Sequence, residues 1–453
     1  MTTTGIRPSP ATERPAHRDG NVLRWLGAYS ASAVGDNVYY LALSWAVIQS
    51  GSPAQAGLVM AVSAVPRALL MLGGGVVADR FGPRRVVIGS DAVRCVAVFS
   101  VAGLLLLTSP GVWALAALGF VFGAVDALFM PAVGALPARI TARHQLARVQ
   151  GMRGLVIRLA NVVGAPLGGL GVALGGPAAA FGVAGLLFAA SLPLLMSVRI
   201  AKLPAERGGQ RGERRGEHRG EHRGEHRGEH RGEQGEGAAE GTEAGRTAWH
   251  ELADGLRYIR GHRVLAPLMV VVALADLGFV GPLNIGLTLL ADERGWGASG
   301  VGLVLAGFGA GAGGSALLLT VRGRLPRAGL LLCVTCATGA VGIAAVAYLP
   351  SLAAAAGAAL LVGLLVGLTG ALASALAQTE SDPRYVGRVT SVAGLVSLGV
   401  APLTYPLTGW AVGAWGTAPV FTAGAATCAL AGVYGLGSRA LRAAELPTAA
   451  PRG

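Results

Sequence analysis

The sequence predicts an all-α membrane protein: twelve transmembrane helices in two pseudo-symmetric six-helix halves. Long apolar runs, positive charge in alternate loops and an internal repeat at one constant offset predict it. Of 453 residues, 53% are hydrophobic and 13% charged, and the mean hydropathy is +0.56. That is more apolar surface than one soluble core would bury. A helix needs roughly 20 apolar residues to cross about 30 Å of hydrocarbon. Such stretches stand at about 24–50, 54–78, 86–108, 112–138, 150–172, 176–198, 263–290, 298–321, 328–349, 352–378, 388–410 and 416–438. They are continuous and rich in the chain's 71 glycines, as close helix approach in lipid requires. Barrel strands would instead alternate apolar and polar residues over about ten positions.

Charge sets the expected orientation. A net charge of +13 on a soluble protein would suggest nucleic acid, but here it collects in alternate loops. With the N-terminus inside, Arg80, Arg84, Arg85, Arg139, Arg143, Arg148, the 199–262 segment, Arg322, Arg324, Arg327, Arg384, Arg388, Arg439 and Arg442 fall on the cytoplasmic side. Outside loops keep only Arg294. The positive-inside rule then predicts a multi-pass plasma-membrane protein with both termini cytoplasmic and no nucleic-acid partner. Residues 1–22 are a polar tail without the pattern of a cleavable signal.

The repeat supplies the symmetry. Shifting the first half by 240 residues sets Asp36 on Asp276, Pro110 on Pro350, Gly123 on Gly363, Arg148-Val149 on Arg388-Val389, and Pro166-Leu167 with Gly169 on Pro406-Leu407 with Gly409. Asp, Arg and Pro matches carry the weight, since Gly and Leu coincide easily in this composition. Two halves of the same orientation, 23–198 and 248–438, imply an axis along the membrane normal and a substrate path between them.

Residues 199–247 join the halves, with Gly-Glu-His-Arg four times over from Gly216 to Arg231. Alternating charge and no apolar face predict a disordered cytoplasmic linker, its four histidines solvated rather than metal-binding. After it, Trp249 to Arg263 reads as an amphipathic helix at the membrane face, with Trp249, Leu252, Leu256 and Ile259 on one side. Residues 439–453 form a cytoplasmic tail. Cys95, Cys333, Cys336 and Cys428 lie in apolar segments, where they act as small hydrophobes rather than a disulfide framework.

Between the second and third spans stands Gly75-Val-Val-Ala-Asp79-Arg80-Phe-Gly82-Pro-Arg84-Arg85. Its glycines permit close approach and a turn of positive φ, and the arginines suit anionic headgroups. This Gly-x-x-x-Asp-Arg-x-Gly-x-Arg-Arg loop resembles the signature of the major facilitator superfamily. Gly35-Asp36, Pro66, Ser90-Asp91-x-x-Arg94, Gly255-Leu256-Arg257-Tyr258 and Gly387-Arg388-Val389 resemble its drug and siderophore exporter branch, the macrolide-efflux and enterobactin-exporter type. The resemblance implies that Asp79 latches the halves in one conformation. The fifth-span stretch Gly164-Ala-Pro166-Leu-Gly168-Gly169 resembles the antiporter motif of drug exporters with its proline displaced by one; it reads equally as a helix bend that lets neighbours approach. The arginine expected in the fourth span of proton-coupled relatives is absent, and Asp126 stands in that span.

Ionisable residues within a span cost at least about 2.5 to 3.5 kcal/mol on insertion scales, so they face a partner or a water-filled path. Asp36, Asp126 and Asp276 lie near the centres of spans one, four and seven, Arg67 within span two and Arg158 in span five. These five are candidates for proton coupling or for lining the substrate cavity, with internal ion pairing of Asp36 or Asp126 to Arg67 or Arg158 as the alternative. Together with the resemblance they imply a monomeric secondary carrier in the lipid bilayer. It would export small hydrophobic or amphipathic compounds, antibiotics, other drugs or siderophores, in exchange for protons, and confer drug resistance. An importer or uniporter of a small metabolite, or a channel, is the alternative. No catalytic constellation, metal site, cofactor motif or nucleotide-binding loop is visible.

Overall fold

Turn chemistry sets the helix ends in the computed structural model, which describes residues 15–108, 111–199, 253–322 and 326–446. Asp19 caps α1 (Gly20–Ser50) by accepting from the Asn21 backbone at 2.8 Å. A capping box between Ser52 and Gln55, with Pro53 in the first turn, opens α2 (Pro53–Phe81). Then come α3 (Pro83–Leu107) and α4 (Val112–Ala135). A helical run, Leu146–Ser197, contains both α5 and α6 and breaks at Gly175 and Gly176 into 146–174 and 177–197; the φ of +69° at Gly176 suits glycine. In the second half lie α7 (Leu265–Glu293), α8 (Gly297–Arg322), α9 (Ala328–Tyr348), α10 (Leu352–Thr379), α11 (Val386–Trp415) and α12 (Thr417–Gly437). Within α7 a π-turn spans Pro282–Gly286.

Ten stretches of the described residues have the length and apolarity to cross a membrane, and Arg148–Ser197, at 50 residues, crosses twice. With α1, whose 31 residues are long enough but more polar, this makes the twelve predicted crossings. The boundaries move at the signature loop. Where the sequence ended the second span at about residue 78, α2 continues through Phe81, and Gly82, at φ +84°, reverses the chain.

Helix packing repeats at the same offset. α2 packs on α4 as α8 packs on α10, and α3 on α6 as α9 on α12. Gly123 of α4 would place a Cβ 1.9 Å from the Ser63 carbonyl of α2, and Gly363 of α10 one 2.0 Å from the Phe308 carbonyl of α8. Close backbone approach therefore needs glycine at both members of this pair. Between the halves, α2 meets α11 and α5 meets α8, each pairing the image of the other.

The buried core shows where the halves close. One apolar cluster spans both, joining Leu43, Trp45 and Phe122 to Ile285, Leu290 and Phe421. It lies away from the end at which α1 begins and α12 finishes. At that terminal end the core divides, with Trp25, Phe129 and Leu136 in one half and Leu265, Leu332 and Leu376 in the other. Close backbone approaches between the halves at glycine include Gly57 against Tyr405, Gly409 against Pro53, Gly169 against Ala298 and Gly302 against Ala165.

Candidate functional site

A network of buried charge lies inside the N-terminal half. Its centre is Arg94 of α3, fully buried, whose guanidinium lies 4.1 Å from the Phe129 ring centroid and 5.1 Å from that of Phe122. A delocalised, weakly hydrated cation suits this aromatic cage. Arg94 pairs with Asp126 of α4, with Asp36 of α1 at 3.5 Å and with Asp91 of its own helix at 3.5 Å. Arg67 of α2 pairs with Asp126 at 2.9 Å and donates to the Tyr40 hydroxyl at 3.4 Å. Ser32 and Ser191 donate to the two oxygens of Asp91. Charged groups from α1 to α4, with Ser191 of α6, thus bring five helices onto three carboxylates and two guanidiniums.

The carboxylates differ in how well they are held. Asp126 has two arginines, and Asp91 has an arginine and two hydroxyls. Asp36 has the weakest compensation: its Oδ1 makes no hydrogen bond, and its side chain is 22% exposed whereas those of Asp91 and Asp126 are 0% and 6%. With all five groups ionised the network carries one net negative charge, and a proton on Asp36 makes it neutral.

Sequence reasoning named Asp36, Asp126 and Arg67, and the structure brings these three together. Asp91 and Arg94 were noted only as part of a resemblance, although their three-residue spacing in an apolar span placed an acid and a base on one helix face. Arg158 joins no carboxylate among the described residues. It donates to the Ala312 carbonyl of α8 at 3.1 Å, a bond between the halves.

Asp276 stands apart. It is half-buried on α7, and Ser397 of α11 donates to its Oδ2 at 2.5 Å. Among the described residues no basic group lies within ion-pair distance of it. It lines a cavity of about 360 Å³ between α7, α10 and α11, together with Val272, Val366 and Thr369. A second cavity of about 260 Å³ lies between the halves, bordered by Asn37, Tyr40, Asn161, Asn284 and Thr288.

In the signature loop, Arg84 donates to the Leu195 and Met196 carbonyls at the end of α6, where cations complement the helix dipole. The Arg80 guanidinium lies 5.9 Å from the Phe81 ring centroid, and Arg85 is exposed. The surroundings of Gly75 and Asp79 lie outside the described residues, as do the 200–252 segment with its histidines and Trp249. In the fifth span, Gly164 and Gly168 pack against Asn37 and Val38 of α1, and Gly169 against Ala298 of α8, with the Pro166 backbone beside Gly302. Residues 253–261 are helical, with Ile259 buried and Leu256 half exposed; Tyr258 stacks on Tyr385 at 4.3 Å. All four cysteines are free thiols.

Residues 25–404 match the Major Facilitator Superfamily, and the chain belongs to that family. It is a membrane transporter rather than an enzyme. Similar proteins include the multidrug efflux pump Tap of Mycobacterium tuberculosis and of Mycobacterium bovis, each 33% identical over 184 residues, covering 35% of this chain. The match spans about 41% of the length of those relatives. Among solved structures, a peptide transporter in complex with sulfate superposes with a TM-score of 0.66 at 11% identity, covering 92% of this chain and 93% of that one. The nucleoside transporter NupG gives 0.65 at 10%, covering 92% and 100%. An inward-facing, occupied bacterial homologue of the lysosomal transporter Spinster gives 0.65 at 13%, covering 95% and 97%. At such identities the likeness concerns the fold.

Proposed function

We propose that the protein is a plasma-membrane exporter of small hydrophobic or amphipathic compounds, driven by proton antiport through alternating access. The buried five-charge network carries this reading, because its excess of one carboxylate gives a single proton a place to enter and leave. Asp36 is the proton-accepting member. Protonated, it leaves a neutral network suited to a closed, dry half; ionised, it leaves an uncompensated charge that favours hydration of the path. Asp126, Arg67, Arg94 and Asp91 hold that site in place. The core, which is joined at one end and divided at the other, supports rocking of one half on the other about the α2–α11 and α5–α8 contacts. Export is supported by the similarity to a multidrug efflux pump over part of the chain, and inward-lying termini by the arginine-rich loops. The signature loop, with Asp79 as latch and Arg84 tied to α6, is the conformational element of this cycle, and the chain works as a monomer.

Substrate accumulation in inside-out vesicles under an imposed proton gradient tests this over a panel of uncharged and charged amphipathic compounds. Asp36→Asn is expected to leave the protein folded and to abolish the dependence of transport on the pH gradient. Asp126→Asn is expected to lose transport altogether, because two guanidiniums lose their shared partner. Unchanged gradient dependence in both variants would exclude proton coupling at this network.

A further inference from the structure

Asp276 is the 240-residue image of Asp36, yet the structure surrounds it differently. The sequence-equivalent positions of Arg67, Asp91, Arg94 and Asp126 are Gly307, Leu331, Val334 and Val366, so none of that compensating charge is repeated at the image positions. Val366 itself borders the cavity beside Asp276. A carboxylate inside a membrane span is costly unless it is paired or faces a water-filled path, and one that opens on a cavity without a protein partner is placed to pair with a ligand. Among the described residues Asp276 accepts only the Ser397 hydroxyl, and the wall around it is otherwise uncharged. Val272, Ala275, Leu332 and Val366 supply apolar surface, and Gln378 and Thr390 neutral polar groups toward the terminal end. A volume of about 360 Å³ falls in the range of small-molecule sites, roughly 300 to 1,000 Å³.

We propose that this cavity is a substrate subsite for amphipathic monocations, with Asp276 as counter-ion, Ser397 orienting its carboxylate, and the apolar walls taking the substrate's rings or chains. The subsite rests on the carrier reading above and adds to it the charge of the preferred cargo. It also divides labour between the image residues: Asp36 sits among two arginines and two further carboxylates and handles protons, whereas Asp276 is left open for a cation. Neutral compounds enter the same cavity with less affinity, because they leave the carboxylate unpaired.

The test is equilibrium binding of radiolabelled tetraphenylphosphonium to the purified full-length protein in detergent. The probe carries a permanent charge and no titratable proton, so a pure proton site would not register. Wild-type protein is expected to bind it saturably and to prefer it over uncharged triphenylphosphine oxide by about tenfold or more, the scale of one ion pair. Asp276→Asn is expected to remove that preference, and Asp276→Glu to restore most of it. Equal affinity for the cation and the oxide, or undiminished cation binding by Asp276→Asn, overturns the proposal. Should Asp276→Asn fail to fold, wild-type protein decides alone. Tetraphenylphosphonium is expected to protect Asp276 from dicyclohexylcarbodiimide, read by peptide mass spectrometry, and absence of protection overturns the assignment. Binding in detergent needs neither a gradient nor a direction, so it can fail while proton-driven export stands, and the reverse.

Discussion

The two halves share a fold and differ in electrostatics. Both pack their second and fourth helices through a glycine, Gly123 or Gly363, pressed on a backbone carbonyl, and both contribute one helix to each cross-half contact. In the first half three carboxylates and two arginines are locked among α1 to α4. In the second, the image positions are apolar or glycine and a single membrane-embedded aspartate opens on a cavity. Packing symmetry is set by backbone approach, which both halves need alike. Charge is independent of it, so one half can acquire an ion network while the other keeps a cavity without disturbing the superposition of helices.

Substitutions that touch charge should therefore act in one half, and substitutions that touch packing in both. The largest expected effect is at Arg94. Arg94→Leu leaves three carboxylates around one arginine, and breaking a buried pair costs about 3 to 5 kcal/mol. The expected outcome is loss of folded protein, read as monodispersity and thermal unfolding in detergent, whereas Val334→Leu at the image position should be close to neutral. Near-wild-type stability of Arg94→Leu would mean that the network does not organise the half.

Packing comes next. Gly123→Ala and Gly363→Ala each force a methyl against a carbonyl, and overpacking of this kind costs about 1 to 3 kcal/mol. The two variants are expected to lower the unfolding temperature by similar amounts; a large difference between them would break the symmetry of packing.

The smallest effect is expected at Arg158. Arg158→Gln removes one hydrogen bond to the Ala312 carbonyl, a contribution of about 0.5 to 1.5 kcal/mol. That is enough to shift an equilibrium between conformers without unfolding either. Spin-label distances between α5 and α8 should show a broadened distribution with unchanged stability, and an unchanged distribution would remove Arg158 from the inter-half contact.

Much of the architecture was legible because a bilayer leaves few solutions. Backbone groups in hydrocarbon must be bonded within the helix, so apolar length reads almost directly as a crossing. The exceptions are instructive. α1 is too polar for a hydropathy window because it carries Asp36, whose cost is met by residues on other helices. The Gly175-Gly176 reversal joins two crossings so tightly that they form one nearly continuous helical run, a matter of two residues' dihedral angles. For the site, mid-span position identified Asp36, Asp126, Asp276 and Arg67. Their sorting into a closed network and a lone acid was not legible, nor was the central place of Arg94, because span position says nothing about which way a side chain turns.

The sequence by itself determined the number of spans, the repeat at 240 residues and the presence of ionisable groups in the membrane, since each depends on local apolarity or residue identity along the chain. Tertiary structure decided which charges neutralise one another. Asp36 and Asp276 occupy equivalent positions, but Coulomb energy depends on distance across helices. Only the packing of α3 against α1 brings Arg94 to Asp36, while the packing of α7, α10 and α11 leaves Asp276 facing a cavity.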